Sequence, residues 1–234
     1  MNDTFDHDPR TFALCDFDTD GAIADAVGRL PTRAQVLAGG AAVFLGALGL
    51  RPAAAAAAAK VSATDVAVLN FALTLEYLQA AFYTQAERVG ALRGPLADQA
   101  RVVGAHERAH VKGFQAALGS AAVKRPHFDF HGVTDAAGSF RSTAVAFEDL
   151  AVAAYKEQLP KIRSSAYLAT AVAIHSVEAR HAAWIRRLAG IVPSLNAFDE
   201  PLADGDVVKI VNSTHFVDLR GPVTSAQRAP GFTG

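Results

Sequence analysis

The sequence contains little cysteine, few aromatic residues and little charge. Its 234 residues include one cysteine, Cys15, which excludes an intramolecular disulfide and a cysteine-rich zinc or iron–sulfur site. Charged residues make up 19% and the formal net charge is -1, so we do not expect a strongly basic face that binds nucleic acid. Aromatic residues make up 8%, and no long run of Val, Ile, Thr and aromatics is typical of a sheet. The chain as a whole is 51% hydrophobic and rich in alanine, which favours an all-α protein with a buried core.

The first sixty residues differ from the rest and resemble an export leader. Two basic residues, Arg29 and Arg33, precede an apolar run from Val36 to Leu50, and small residues follow from Ala53 to Lys60. This order is typical of an export signal. The apolar run has 15 residues, whereas a helix needs roughly 20 to span a bilayer. An uncleaved membrane anchor is therefore the weaker alternative, and an ordinary amphipathic segment is the third.

These observations predict the organisation of the chain. We expect an exported protein, whether periplasmic, at the cell surface or extracellular, that contacts a membrane only if the leader stays uncleaved. The three expected parts are a leader at 1–60, a helical domain at 61–190, and a C-terminal tail with room for a short helix at 191–234.

Four helices are predicted in the central part. Ser62 followed by Asp65 is typical of a helix start, and Gly90 of a helix end. Proline suits a first helical turn, so Gly94-Pro95 opens the second helix. About 20 residues from 121 to 140 include Pro126 and two glycines, which makes them too long for a tight turn and predicts a crossover between helices 2 and 3. The expected helices cover about 62–89, 94–119, 139–158 and 164–188.

The four helical segments form two similar pairs. The first and third contain EYLQAAFY from Glu76 and EDLAVAAY from Glu148, while the second and fourth contain Glu-x-x-His from Glu107 and from Glu178. Glu148 follows Glu76 by 72 residues, and Glu178 follows Glu107 by 71. Two motifs that repeat at nearly the same interval are not expected by chance, so they indicate an internal repeat.

The repeated residues predict a two-metal site. Glutamate at i and histidine at i+3 lie on one face of a helix, about 5–6 Å apart at Cβ, and can reach the same ion. The single glutamates of the other helices lie among apolar residues, where an unpaired charge is costly, and they can bridge or cap the ions. Four carboxylates and two imidazoles suit iron or manganese; the alternative is a bundle that keeps the same groups as buried hydrogen-bonded pairs. The predicted ligands are Glu76, Glu107, His110, Glu148, Glu178 and His181.

Residues 63–190 resemble the ferritin-like superfamily, in which two helices each supply a glutamate and two others each supply Glu-x-x-His. The sequence is most similar to exported bacterial ferritin-like proteins related to plant desiccation-related proteins, and NAFDEP at Asn196–Pro201 is part of that similarity. The resemblance implies a four-helix bundle with a long crossover and two iron or manganese ions on the six residues above. It also implies that the protein binds metal ions and reacts with dioxygen or peroxide, in a ferroxidase-like reaction. The alternative is a non-enzymatic metal-binding or stress-protective protein, and either could be a homo-oligomer.

One competing motif is His-Glu-x-x-His at His106–His110, which in zinc proteases places two histidines on zinc. The fourth helix has Val177 where this motif needs its first histidine, so the repeat preserves only Glu-x-x-His. We therefore expect His106 to be structural or to hold a ligand by a hydrogen bond.

Other candidate residues favour a structural role. His175 either orients a ligand or packs in the bundle, and Tyr83 and Tyr155 are expected to be core residues, with a hydrogen-bonding or redox role near the ions as the alternative. Phe114 and Trp184 are expected in the core. A further metal site on the crossover is a weaker hypothesis, because only three groups lie there, at His127, Asp129 and His131.

Overall fold

The computed structural model describes residues 61–219, and these residues form five α-helices without a strand. The predicted leader with Cys15, and the end of the tail at 220–234, lie outside the described residues. The helices are α1 (Ala63–Val89), α2 (Gly94–Leu118), α3 (Ala137–Gln158), α4 (Ser165–Leu188) and α5 (Asp204–Ser213), with short 3-10 turns at Gly119–Ala121 and Leu159–Lys161.

Local sequence accounts for the helix ends. The Ser62 hydroxyl oxygen accepts a hydrogen bond from the Asp65 N–H at 3.0 Å, which caps the start of α1. Gly90 ends this helix with a φ of 65°, a left-handed conformation that glycine adopts without strain. Pro95 lies in the first turn of α2, as expected, and α3 starts two residues before the predicted Ser139 because Ala137 and Gly138 are also helical.

The first four helices form a bundle in which α1 packs mainly against α2, and α3 mainly against α4. The α2 helix also contacts α4, and α1 contacts α3, so all four surround one interior. One apolar cluster at one end is rich in stacked and edge-on phenylalanines, such as Phe82 and Phe140 with centroids 5.0 Å apart. A second cluster contains Tyr77, Phe114 and Tyr155. The all-α four-helix bundle is therefore confirmed.

The crossover at 119–136 and the tail are held to the bundle by defined contacts. The Asn70 side chain of α1 donates to the Ala121 carbonyl at 2.9 Å and accepts from the Val123 N–H at 2.8 Å. Further along, the Asp129 N–H donates to the Phe216 carbonyl at 2.9 Å. The α5 helix lies within the tail and buries Val207 and Val211 in the phenylalanine-rich cluster. The tail thus covers part of the bundle.

Among the described residues, α1 is the helix that is long and apolar enough to cross a membrane. Of its most apolar stretch, 67% is buried inside the protein. Its apolar character is accounted for by its place in the bundle interior.

Candidate metal centre

The structure brings all six predicted ligands together between the two apolar clusters. The four glutamates are 0% exposed, and His110 and His181 are 7% and 3% exposed. Each helix of the bundle contributes, with Glu76 on α1, Glu148 on α3, and a Glu-x-x-His pair on each of α2 and α4. Four carboxyl groups in so small a volume are costly to bury unless cations or protons balance them.

The six residues form two overlapping groups of donor atoms. The atoms of each group lie within 4.8 Å of one another, as those around a single ion would. Glu107 and Glu178 belong to both groups, so the shared carboxylates are those of the Glu-x-x-His pairs. Glu76 and Glu148, which the sequence allowed either to bridge or to cap, each belong to one group. The groups are position A, with Glu76, Glu107, His110 and Glu178, and position B, with Glu107, Glu148, Glu178 and His181.

Both histidines of the predicted ligand set turn Nδ1 towards the carboxylates. His110 Nδ1 lies 3.2 Å from an oxygen of Glu76, 3.2 Å from one of Glu178 and 3.5 Å from one of Glu107. His181 Nδ1 lies 3.0 Å from Glu107 and 3.6 Å from both Glu148 and Glu178. Each imidazole therefore presents one nitrogen to three carboxyl groups at once.

The arrangement of these donor atoms fits bound metal ions better than it fits hydrogen bonds among the same residues. Within residues 61–219, both carboxylate oxygens of Glu107 and of Glu178, one oxygen of Glu148, and His181 Nδ1 are buried without a hydrogen-bond partner. The short separations among these atoms do not meet hydrogen-bond geometry, so the atoms converge on common points. Among the six residues, His110 Nδ1 and a Glu76 oxygen, 3.2 Å apart, form the one hydrogen bond. With neutral imidazoles, four ionised carboxylates would carry four negative charges, which two divalent cations would balance. Oxygen ligands with imidazole fit iron and manganese.

The electrostatics of the metal-free centre follow from burial and from these contacts. Burial raises the pKa of Glu76 well above its usual value and that of Glu148 to about 7. For Glu107 burial acts in the same direction, but His110 and His181 outweigh it and hold its pKa well below the usual range. Burial alone would lower the pKa of His110 and of His181, but the surrounding glutamates raise both well above the ordinary value.

The two tyrosines hold the unshared glutamates across the bundle. Tyr83 of α1 donates its hydroxyl hydrogen to Glu148 of α3 at 2.5 Å, and Tyr155 of α3 donates to Glu76 of α1 at 2.5 Å. The prediction of core tyrosines is right, because both are buried, and their hydroxyls also contact the centre. The sequence signal for these two hydrogen bonds is a tyrosine that follows the lone glutamate by seven residues in both α1 and α3.

Sequence reasoning missed Gln99. This glutamine is 0% exposed, and its side-chain amide lies 3.5 Å from the Tyr83 hydroxyl. The signal in the sequence that could have identified Gln99 is a polar residue on the face of α2 that carries the buried positions.

His106 contacts the centre from outside. Its Nδ1 lies 2.9 Å from His181 Nε2, and it belongs to neither group of donor atoms, which argues against a zinc-protease site. Burial, followed by the proximity of His181 and His110, lowers the pKa of His106 to about 4.

The remaining candidates lie apart from the donor groups. The His175 ring lies 6.4 Å from that of Tyr155, so it approaches the residue that donates a hydrogen bond to Glu76. On the crossover, Asp129 contacts His131, but within residues 61–219 no group of three potential ligands forms outside the bundle centre. Phe114 is buried as expected, whereas the expectation for Trp184 is wrong, since it is 36% exposed on the outer face of α4.

Comparison with known proteins agrees with this geometry. No curated protein matches the sequence. The family described as a ferritin-like domain matches residues 64–190, which is more than half of the chain and includes all six residues of the centre. The chain therefore belongs to the ferritin-like domain family.

Proposed function

We propose that the bundle holds two iron or manganese ions, bridged by carboxylates, on Glu76, Glu107, His110, Glu148, Glu178 and His181. The observation that carries the proposal is the overlap of two buried donor groups that share Glu107 and Glu178. Shared carboxylates can hold two ions next to each other. The alternative, a bundle that keeps the same groups as buried hydrogen-bonded pairs, would leave fewer of the donor atoms without hydrogen-bond partners.

Each part of the chain has a separate task at such a centre. Glu107 and Glu178 join the two positions, Glu76 with His110 completes position A, and Glu148 with His181 completes position B. Tyr83 and Tyr155 fix the orientation of the unshared carboxylates. The apolar clusters on either side limit access of water. When bound, a pair of iron or manganese ions supplies redox chemistry with dioxygen or peroxide, and we propose a ferroxidase-like reaction.

We also propose that the protein is exported and is related to the bacterial proteins that resemble plant desiccation-related proteins. The support is the order of basic, apolar and small residues in 1–60, together with NAFDEP at Asn196–Pro201.

Metal analysis of purified protein tests the centre. The wild type should contain two iron or manganese ions per chain. Glu107→Ala should lose both ions, because its carboxylate serves both positions, and His181→Ala should lose mainly one. Glu157→Ala is the matched control, since it removes a carboxylate of α3 that pairs with Lys161 at the surface. This control should retain both ions.

The reaction is tested by following aerobic oxidation of Fe(II) by the same four proteins. The wild type and Glu157→Ala should oxidise Fe(II) faster than buffer, and Glu107→Ala should not. Oxygen release from peroxide by the manganese form would instead indicate a catalase. If the wild type binds two ions but neither oxidises Fe(II) nor releases oxygen from peroxide, it is a metal-binding protein without this activity. If the wild type holds no more metal than Glu107→Ala, the proposed two-metal centre is contradicted.

A further inference from the structure

The two metal positions have equivalent ligands but different surroundings. In the internal repeat, His106 precedes Glu107 on α2, and the equivalent residue before Glu178 on α4 is Val177. His106 can form hydrogen bonds with its ring nitrogens, whereas the valine side chain has no hydrogen-bonding atom. The exchange of His106 for Val177 therefore breaks the pseudo-symmetry of the centre next to the ligands.

The broken symmetry affects His181. This histidine turns Nδ1 towards Glu107, Glu148 and Glu178, and its other nitrogen lies 2.9 Å from His106 Nδ1. The rings of His106 and His181 lie nearly parallel, with centroids 5.2 Å apart and planes inclined by 19°. A neutral His181 that binds an ion through Nδ1 must carry its proton on Nε2, and His106 Nδ1 lies where it would accept that proton in a hydrogen bond.

We infer that His106 is a positioning residue for His181, and that it makes position B the tighter of the two metal positions. This inference rests on the proposed function. An acceptor on the outer nitrogen fixes the tautomer and the ring orientation of a ligand histidine and increases its basicity. At position A, His110 also turns Nδ1 inward, but Val177 cannot supply the equivalent contact.

The consequence is ordered loading of the two ions. The first ion enters position B, where His181 is already oriented, and the second enters position A. Removing an orienting partner of this kind typically weakens metal binding by about 10–100-fold. We expect a similar ratio between the two stepwise dissociation constants.

Anaerobic calorimetric titration of the metal-free protein with Mn(II) tests the inference. The wild type should bind two ions in two steps. Glu148→Ala should retain only a step close to the weaker one, and Glu76→Ala only a step close to the tighter one, because these carboxylates belong to positions B and A respectively. This pair of variants assigns each step to a position.

Three histidine variants then isolate the role of His106. His106→Leu should weaken the tighter step by about 10–100-fold and leave the weaker one unchanged within about twofold. His106→Asn should restore much of the tighter step, because its amide oxygen lies near the position of Nδ1 and can accept from His181. His127→Leu, which removes an exposed histidine of the crossover, is the control and should match the wild type. Thermal unfolding of the metal-free variants verifies that each is folded.

Failure of this inference differs from failure of the proposed function. If His106→Leu binds as the wild type does, if both steps weaken equally, or if Asn and Leu behave alike, His106 does not position His181, although the two-ion centre remains. If the tighter step survives in Glu148→Ala and is lost in Glu76→Ala, the assignment to position B is wrong. A wild type that binds no Mn(II) would remove the centre and this inference together.

Discussion

Each unshared glutamate of the centre depends on a tyrosine hydroxyl from the neighbouring helix pair. Changing Tyr83 or Tyr155 to phenylalanine leaves a buried carboxyl oxygen of Glu148 or Glu76 without its donor. An unsatisfied buried acceptor costs about 1–3 kcal/mol. We therefore expect Tyr83→Phe and Tyr155→Phe each to lower the free energy of unfolding of the metal-free protein by that amount, measured by urea denaturation.

Tyr167→Phe is the matched control for these variants. Tyr167 is half-buried on α4, and within residues 61–219 its hydroxyl forms no hydrogen bond. Its replacement should change the free energy of unfolding by less than about 0.5 kcal/mol. If the three variants lose equal stability, the tyrosine hydroxyls do not support the glutamates.

The charge state of the centre predicts that metal binding releases protons. Burial lowers the pKa of His110 and His181, but the glutamates around them raise it well above the usual value, which favours protonated imidazoles in the metal-free protein. An ion binds the neutral imidazole, so loading should release protons from both histidines, and also from Glu76 and Glu148, whose pKa values burial raises. Affinity should therefore fall as the pH falls. Calorimetry with Mn(II) in two buffers of different ionisation enthalpy counts the protons, and a buffer-independent heat would contradict the expectation.

At the scale of elements, Gly104 sets how closely α1 and α2 approach. A Cβ atom at this position would lie 2.9 Å from Cβ of Tyr83 and would also clash with the Glu87 carboxylate. The Glu87 side chain can move, but Tyr83 Cβ is fixed to the α1 backbone. Gly104→Ala should therefore separate the helices, displace Tyr83 from Glu148 and lower the free energy of unfolding by about 1–3 kcal/mol, measured by urea denaturation.

Gly138 provides the comparison for Gly104. It lies in the first turn of α3, and an added Cβ would meet nothing within 4 Å. Gly138→Ala should be neutral or stabilising by about 0.4–1 kcal/mol, because alanine restricts the unfolded chain. Equal losses in both variants would show that the helix approach at Gly104 is not the cause.

The helices could be predicted from local signals, and the meeting of the six residues from the internal repeat together with the resemblance to the ferritin-like superfamily. Ser62 and Gly90 bound α1 as expected, and the repeat of Glu-x-x-His places a glutamate and a histidine on one face of α2 and again on α4. The hydrogen bond between Tyr83 and Glu148 depends on how α1 and α3 are rotated relative to each other, which the periodicity of the sequence does not specify. The same holds for the contact of His106 with His181 and for the exposure of Trp184, while ligation itself stays a prediction.

At the scale of the whole molecule, the export proposal predicts a shortened protein. Small residues from Ala53 to Lys60 follow the apolar run, so a signal peptidase should cut within this stretch. Intact-mass analysis of protein from the envelope or medium of an expressing bacterium should show a chain that starts close to Val61. Full-length protein in the membrane fraction would support an uncleaved anchor, and full-length protein in the cytosol would contradict export.

Two ions that draw ligands from four helices should also stabilise the entire bundle. Without ions, α1 to α4 bring four carboxyl groups into one buried volume, and bound cations would replace this unfavourable arrangement with ligand bonds. An ion that binds only the folded state adds about 2.7 kcal/mol at a free concentration 100 times its Kd. For a chain of this size, that corresponds to an increase in Tm of roughly 5–11 °C per ion. Calorimetric scans at increasing Mn(II) should show Tm still rising beyond two equivalents, and a chelator should reverse the rise. Glu107→Ala should show little dependence on Mn(II) because its carboxylate serves both positions, and a wild-type Tm that ignores Mn(II) would mean that the bundle does not bind this ion.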